Sequence, residues 1–246
     1  MPRLLVINPG STSTKVAVFE DEQPLFLDTL RHSTQEISAF EHVLDQYELR
    51  LDLVLAFLHA RGIALESLSA TVGRGGLLHP IPSGTYRVNQ AMVAELKVRD
   101  KEREHASNLG ALLAYEIAGR VGIPAFIVDP VCVDEFDAIA RISGLPEIER
   151  KSLSHALNLK VVARRAAQDL HRRYEELNLV IVHLGGGTSV TAHRRGRMVD
   201  VNQALDGTGP FSPERAGGLP VGDVVRMCFG IGSYPVSYTH LRAHET

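Results

Sequence analysis

Residues 4–19 read LLVINPGSTSTKVAVF and decide how the rest of the sequence is interpreted. Two short apolar runs, at residues 4–7 and 16–19, are typical of buried β-strands. The loop between them is built of small and hydroxylated residues and ends in Lys15. Backbone N–H groups, hydroxyls and an ammonium so close together form a donor set that suits a phosphate. The stretch predicts a hairpin with an anion-binding loop, and the alternative is an ordinary turn with a surface lysine.

The composition is that of an ordinary globular protein, with 246 residues, 44% hydrophobic and 22% charged. A net charge of −3 without long Lys/Arg blocks argues against nucleic acid or membrane surfaces as partners. No apolar run approaches the roughly 18 residues of a membrane span, and no secretory leader opens the sequence. Two cysteines in apolar surroundings fit a reducing compartment. We therefore expect a cytoplasmic protein.

Apolar periodicity predicts alternating strands and helices along the rest of the chain. The predicted strands are residues 25–30, 68–72, 123–128, 179–184, 190–193 and 198–202. The predicted helices are residues 37–60, 89–98, 109–121, 134–141, 152–174 and 221–229. Residues 179–193 repeat the strand–loop–strand pattern of residues 4–19, which indicates a weak internal duplication. We therefore predict two α/β domains, residues 1–150 and 151–246.

A second candidate phosphate loop follows the strand at residues 179–184. It contains three successive glycines, Gly185, Gly186 and Gly187. Because glycine has no side chain, the backbone N–H groups of such a loop can approach a polyphosphate. A β-bulge or a flexible turn is the alternative for this loop alone.

Charged residues at the ends of predicted strands are candidates for binding a substrate. Arg74 follows a buried strand and lies between glycines, where an arginine has room for a bidentate contact with carboxylate or phosphate. Asp129 follows the strand at residues 123–128, at the edge where open α/β sheets place ligand-binding groups. Arg215 lies in a long polar loop. The alternatives are a solvated arginine for Arg74, a turn cap for Asp129 and a salt bridge near Glu214 for Arg215.

Two histidines, His155 and His183, lie at the start of a predicted helix and at the end of a core strand. Such positions are more often occupied by core histidines than by catalytic ones. The sequence contains no paired Cys/His spacing and no HExxH, so a zinc site is not supported. It also lacks GxSxG, GxGxxG and GxxxxGK[ST], the motifs of hydrolase, Rossmann and Walker sites.

Several segments resemble, in order, motifs of the acetate and butyrate kinase family. The first is residues 8–15, NPGSTSTK. The others are residues 69–82 (SATVGRGGLLHPIP), 104–111 (EHASNLGA), 128–135 (VDPVCVDE), 151–158 (KSLSHALN), 183–189 (HLGGGTS) and 200–215 (DVNQALDGTGPFSPER). The first two segments are closer to the butyrate branch of the family.

This resemblance implies an α/β protein with the two-domain actin-like ATPase (ribonuclease H-like) fold. Mixed sheets flanked by helices are expected, with the second domain incomplete because family members are longer. Residues 235–246 lack an apolar period and are expected to be a non-native tail. We also expect the 246-residue chain to be inactive by itself and the full-length form to be a homo-oligomer.

The resemblance further implies a reaction: ATP, with Mg²⁺, phosphorylates butyrate to butyryl phosphate. The alternatives are a kinase for acetate or a branched short-chain acid, or a non-catalytic nucleotide-binding protein. Arg74 and Arg215 would hold the carboxylate and the transferring phosphoryl group. Asp129 would orient the reacting groups or help to place the metal. His155 and His183 would donate to phosphoryl oxygens.

The resemblance also assigns two phosphate loops and no direct metal ligand. Asn8, Ser11, Ser13 and Lys15 would line the first loop. Gly185, Gly186 and Gly187 would line the second.

Overall fold

The computed structural model describes residues 1–98, 104–205 and 208–230. The chain divides into two compact units. The first comprises Met1–His79 and Ser83–Cys132, and the second comprises Pro80–Pro82 and the residues from Val133 onward. The domain boundary near residue 150 stays a prediction. The proposed tail at residues 235–246 lies outside the described residues.

The first unit is built on a mixed six-stranded sheet within the described part of the chain. Its strands are β1 (Arg3–Pro9), β2 (Ser13–Glu20), β3 (Gln23–Arg31), β4 (Ala70–Arg74), β5 (Thr85–Arg87) and β6 (Ala125–Val128). The spatial order is β3-β2-β1-β4-β6-β5. The first three strands are antiparallel, β1, β4 and β6 are parallel, and β5 is an antiparallel edge. The predicted three-stranded antiparallel opening is confirmed.

The helices of the first unit are α1 (Thr34–Ser38), α2 (Tyr47–Ala60), α3 (Gln90–Leu96) and α4 (Asn108–Val121). The α4 prediction is confirmed, including its end at Gly122, which takes a left-handed φ of 74°. The cap of α3 is confirmed too, because the Asn89 side chain accepts from the Met92 N–H.

The single helix predicted at residues 37–60 is wrong. The capping box of Ser33 and Glu36 begins the short helix α1. His42 is then extended, with φ −119° and ψ 148°, and starts a 3₁₀ turn at Val43–Gln46 before α2. The apolar spacing continues across this break, so periodicity alone could not reveal it.

The second unit contains a three-stranded antiparallel sheet in the order β7-β8-β9. Its strands are β7 (Asn178–Leu184), β8 (Thr188–Arg194) and β9 (Arg197–Val201), and its helices are α5 (Ala156–Asp169) and α6 (Val221–Cys228). Leu159 and Ala163 of α5 pack in one core with Ile181 and Met198 of the sheet. This meander repeats the β1–β3 topology, which confirms the predicted duplication of a strand–loop–strand element.

Two predicted helices of the second unit are too long. The helix predicted at residues 152–174 spans only Ala156–Asp169, because His171 takes a left-handed φ of 52° and turns the chain. Residues 134–141 form only a 3₁₀ turn at Ala138–Arg141. Among the described helices, none combines the length and the apolar character needed to cross a membrane.

Candidate functional site

The first loop joins β1 to β2 and is closed by a hydrogen bond of 2.7 Å from the Gly10 N–H to the Ser13 carbonyl. Asn8 pairs with Lys15 across the hairpin. Ser11 and Lys15 are exposed, as an anion-binding loop requires. The predicted hairpin is confirmed, but its loop is shorter than residues 8–15: Asn8 lies in β1, Ser13 and Lys15 lie in β2, and Ser11 lies between the strands. The phosphate contacts of these residues stay a prediction.

A buried arginine that sequence reasoning missed lies against this loop. Arg50 of α2 is only 1% exposed. Its Nη1 donates to the Ser13 carbonyl at 3.2 Å and to Thr14 Oγ1 at 3.0 Å. Its Nη2 donates to the Ser11 carbonyl at 3.1 Å. Nε and Nη2 also donate to Gln46 Oε1, at 3.1 and 2.8 Å. Burial lowers the pKa of the Arg50 guanidinium.

The Arg50 network continues into the sheet. Thr14 Oγ1, which accepts from Arg50, also lies within hydrogen-bond distance of His32 Nε2, at 2.9 Å. Burial, and then the charge of Arg50, lowers the pKa of His32 and so favours its neutral imidazole. The signal in the sequence was an arginine on the apolar stripe of the predicted helix, three residues after Tyr47 and four before Val54.

Arg74 and Asp129 follow parallel strands that end at one edge of the sheet. Ile7, Gly73 and Ile127 form one row across β1, β4 and β6. Arg74 is one residue beyond this row and Asp129 is two. The sheet therefore brings Arg74, Asp129 and the end of β1 before the first loop to the same carboxyl edge, where open α/β sheets bind ligands.

Arg74 is half-buried, and burial lowers the pKa of its guanidinium. Its side chain makes no hydrogen bond or ion pair with any residue that the structure describes. Its glycine neighbours have a packing role, because a Cβ on Gly73 would lie 2.1 Å from the Gly110 carbonyl oxygen of α4. A desolvated guanidinium without a protein partner is suited to bind an anion.

Asp129 is 2% exposed and its backbone takes a φ of 39°. Its Oδ1 accepts from Ser83 Oγ at 2.6 Å and from the Gly84 N–H at 2.8 Å. Asp129 thus also holds the turn at residues 83–84, whereas the alternative interpretation placed a cap at the turn before Pro130. A left-handed non-glycine residue stores backbone strain of the kind that accumulates at functional sites. Sequence reasoning gave Ser83 and Gly84 only a role in a turn.

The second unit brings its two candidate histidines into contact. The rings of His155 and His183 stack with centroids 3.9 Å apart and planes inclined by 12°. Ser189 Oγ lies 2.9 Å from His155 Nδ1. Asn158 Oδ1 lies 3.0 Å from His183 Nδ1, so this nitrogen carries a proton and donates it. Neither Ser189 nor Asn158 was assigned a role from the sequence.

The glycine loop lies against these imidazoles. A Cβ on Gly185 would lie 3.0 Å from His183 Nε2, and one on Gly187 would lie 3.3 Å from His155 Cε1. The absence of side chains at these two positions therefore lets the loop approach the stacked rings. The predicted residues His155, His183 and the glycine loop form one cluster within the second unit.

Glu214 was missed as a neighbour of the glycine loop. The Gly186 carbonyl accepts from Ser212 Oγ at 2.6 Å and from the Glu214 N–H at 3.0 Å. A Cβ on Gly186 would meet the Glu214 carboxylate at 2.6 Å. Arg215 Nη1 lies 3.8 Å from Glu214 Oε2, so Arg215 pairs with Glu214 itself, whereas the alternative interpretation placed its partner among the neighbours of Glu214. A carboxylate beside the loop opposes anion binding unless a cation offsets it.

Mg²⁺ usually binds to proteins through one or two carboxylates together with substrate phosphates and water. No group of three or more His, Cys, Asp or Glu side chains within residues 1–98, 104–205 and 208–230 is arranged to hold a metal ion. Asp129 is a buried carboxylate at the edge of the first sheet, and such a single ligand fits the way in which Mg²⁺ binds beside phosphates.

Comparison with known proteins connects the chain with carboxylate kinases. The model of the Acetokinase family matches residues 148–210, which contain His155, His183 and the glycine loop. The curated protein Butyrate kinase 1 of Clostridium acetobutylicum is 56% identical over 229 residues. The aligned region covers 93% of this chain and 64% of that relative, so the chain spans less than two thirds of its length.

Solved structures show the same fold. Acetate kinase from Porphyromonas gingivalis superposes with a TM-score of 0.70 at 16% identity, covering 100% of this chain and 68% of that one. A propionate kinase from Francisella tularensis subsp. tularensis superposes with a TM-score of 0.66 at 18% identity, covering 98% of this chain and 67% of that one. At such identities the likeness concerns the fold alone. It confirms the predicted fold class, an actin-like ATPase fold with mixed sheets flanked by helices.

Proposed function

We propose that this chain is part of a carboxylate kinase of the acetokinase family, which transfers the γ-phosphoryl group of ATP to butyrate and gives butyryl phosphate and ADP. The identity of 56% to a butyrate kinase supports butyrate as the acceptor. The observation that carries the proposal is Arg74, a half-buried arginine without a partner among the described residues, at the same sheet edge as Asp129.

The chemistry needs no general base. A carboxylate is ionised at neutral pH and attacks directly. One carboxylate oxygen forms a bond to the γ-phosphorus while the bond to the β-phosphate oxygen breaks, and the released electron pair stays on ADP. Catalysis is then positioning together with neutralisation of charge. This requirement agrees with a candidate set that is rich in cations and lacks a base–nucleophile pair.

In the first unit, we assign Arg74 to bind an anionic oxygen of the substrates. Asn8, Ser11, Ser13 and Lys15 provide amide, hydroxyl and ammonium donors for phosphate oxygens. Asp129 would hold Mg²⁺ or orient the reacting groups. When bound, Mg²⁺ would neutralise charge on the phosphates.

In the second unit, we assign His155 and His183 as donors to phosphoryl oxygens. The stack and the contact between His183 Nδ1 and Asn158 hold the two rings in place, and donation from His183 to a phosphoryl oxygen would come from Nε2 with the ring in its doubly protonated form. The backbone of Gly185, Gly186 and Gly187 would contact phosphate. Arg215 would offset both the Glu214 carboxylate beside the loop and the charge of the bound substrate.

The 246-residue chain spans 64% of its butyrate kinase relative, and we propose that its steady-state turnover is far below that of the relative. We also propose a homo-oligomeric, cytoplasmic enzyme. A steady-state rate equal to that of the Clostridium enzyme, measured beside it, would contradict the first of these statements.

The function is tested by trapping the acyl phosphate. The full-length form, at a concentration stoichiometric with ATP, is incubated with Mg²⁺ and butyrate, and hydroxylamine converts butyryl phosphate to the hydroxamate. We expect Arg74→Ala to slow this single turnover by about 10²-fold or more, the range for loss of a group that stabilises transition-state charge. Arg120→Ala is the matched control, because Arg120 lies on the surface and pairs with Glu116.

The outcomes separate the alternatives. Hydroxamate from acetate or a branched acid, but not from butyrate, would change the acceptor. ATP binding without any hydroxamate would favour a non-catalytic nucleotide-binding protein. Full activity of Arg74→Ala would remove Arg74 from the site.

A further inference from the structure

Arg50 is a buried cation whose direct partners are all neutral. Its side chain has five N–H donors. All five are used, on the carbonyls of Ser11 and Ser13, on Thr14 Oγ1 and twice on Gln46 Oε1. No ion pair joins Arg50 to any acidic residue in the described part of the chain. Buried charges in proteins are normally paired, so this arrangement needs an explanation.

The bonds of Arg50 also set the orientation of the loop backbone. In a planar trans peptide, the C=O of one residue and the N–H of the next point in opposite directions. The Ser11 carbonyl faces Arg50, so the Thr12 N–H faces away from it. Thr12 is exposed, and this side of the loop therefore presents a backbone donor to the solvent.

Charge and geometry thus act in the same direction. The guanidinium is desolvated and contributes a positive field close to the backbone of the loop. Exposed Ser11 and Lys15 add donors. An anion bound to the loop would neutralise a buried charge that the described part of the chain leaves without an ion pair.

We propose that Arg50 is a positioning residue of the first phosphate loop. It holds the loop backbone in the anion-binding orientation, and its unpaired charge strengthens the binding of phosphate. The inference rests on the proposed function, which makes phosphate the ligand of this loop. Arg50 reaches the ligand through the loop and its field.

The test is calorimetric titration of the 246-residue chain with tripolyphosphate and with inorganic phosphate. Arg50→Gln removes the charge, and Arg50→Lys keeps the charge but loses part of the hydrogen-bond fork. Arg61→Gln is the matched control, because Arg61 is an exposed arginine paired with Asp28. Urea unfolding of each variant reports stability separately.

We expect Arg50→Gln to weaken tripolyphosphate binding by about tenfold or more, as expected for loss of a nearby charge at an effective dielectric constant of about 20. Arg50→Lys should lie between Arg50→Gln and the unmodified protein. The loss should be larger for tripolyphosphate than for inorganic phosphate, because the field acts on ligand charge. Arg61→Gln should bind like the unmodified protein.

Several results would overturn the inference. One is unchanged tripolyphosphate binding in Arg50→Gln. Another is an equal loss of affinity in Arg50→Lys and Arg50→Gln that follows their unfolding free energies. If Arg50→Gln does not fold, Arg50→Lys tests the hydrogen-bond fork, and binding of tripolyphosphate by Arg50→Lys at the unmodified affinity would decide against a positioning role. If Arg50→Gln forms butyryl hydroxamate at the unmodified rate, the role of Arg50 is rejected while the proposed kinase function stands. Absence of tripolyphosphate binding by the unmodified chain would reject the loop assignment itself.

Discussion

The meanders β1–β3 and β7–β9 have the same topology, but the buried cation near each is neutralised differently. Arg50 of α2 and Lys160 of α5 are both 1% exposed. Arg50 donates only to neutral oxygens. Lys160 Nζ lies 2.6 Å from Glu135 Oε2 and 2.9 Å from the Gly196 carbonyl. The second cation is thus balanced by a carboxylate within its unit, whereas the first has no acidic partner in the described residues.

The two loops differ in the same sense. The first exposes Lys15, and the second packs against the carboxylate of Glu214. Similar hairpins therefore differ in local charge, because the Glu214 carboxylate at the second loop is paired with Arg215. We infer that attraction of an anion is concentrated at the first loop, and that the second contributes through Arg215 and its stacked histidines.

The largest effect should come from removing the balanced cation. Lys160→Met leaves the largely buried Glu135 carboxylate without its cation. Within the described part of the chain, the Met198 N–H at 2.8 Å then remains as its hydrogen-bond donor. Breaking a buried pair in this way costs about 3–5 kcal/mol. Arg50→Met leaves neutral oxygens without their donor and should lower the unfolding free energy by less, about 1–3 kcal/mol. Urea unfolding monitored by circular dichroism measures both.

The double variant Lys160→Met/Glu135→Leu is the control for this comparison. It should recover much of the loss, because no unpaired charge remains. A larger loss of unfolding free energy in Arg50→Met than in Lys160→Met would contradict the proposed difference between the two cations.

The next effect is a pH dependence of the second unit. His193 accepts from the Tyr174 hydroxyl at Nδ1 and donates from Nε2 to Thr191 Oγ1, whose own proton goes to the Ile181 carbonyl. Burial, followed by the charge of Lys160, lowers the pKa of His193 from 6.5 to about 4, against an opposing effect of Glu135. The folded state therefore holds the neutral ring.

The unfolded chain binds a proton at His193 more readily than the folded one. This contribution to stability is present above pH 6.5 and is lost as the pH falls towards about 4. Between pH 7 and pH 5 the unfolding free energy should fall by about 2 kcal/mol. The measurement is a series of urea titrations over this pH range.

His193→Gln is the matched variant for the pH series, because it keeps a polar side chain that does not titrate. Its stability should change less over the same range. The pKa of His32, beside Thr14, is also lowered. His32→Gln therefore tests whether a histidine of the first unit also makes the unfolding free energy fall as the pH falls. Equal slopes for the unmodified protein and His193→Gln would exclude His193 as the source.

The smallest effect compares the glycines of the two loops. A Cβ on Gly10 would meet the Ser13 carbonyl oxygen at 3.5 Å, an ordinary contact, and Gly10→Ala should change stability by less than about 0.5 kcal/mol. A Cβ on Gly186 would meet the Glu214 carboxylate at 2.6 Å. Because Glu214 is exposed and flexible, it should move, and Gly186→Ala should cost about 1 kcal/mol. Urea unfolding measures both changes in stability. The double variant Gly186→Ala/Glu214→Ala should recover the stability lost in Gly186→Ala.

Features of the fold that depend on neighbouring residues could be predicted from the sequence. The β1–β2 and β7–β8 hairpins, the Asn89 cap and the end of α4 at Gly122 are set by neighbours in the sequence, and each was predicted. The break at His42 was missed because an extended residue with a local cap does not interrupt the apolar spacing. Arg74 and Asp129 were predicted as site candidates because residues at the ends of parallel strands meet at one edge.

The sequence by itself determined the strand–loop–strand units, the resemblance to the acetate and butyrate kinases and the choice of candidate residues, because local periodicity, turn chemistry and motifs are properties of adjacent residues. Only the tertiary structure decided which charges are paired. Arg50 meets the first loop from positions 36 to 39 residues away, and Glu135 meets Lys160 from 25 residues away. Such partners depend on how the whole unit packs, and they make one hairpin a cationic loop and the other a balanced one.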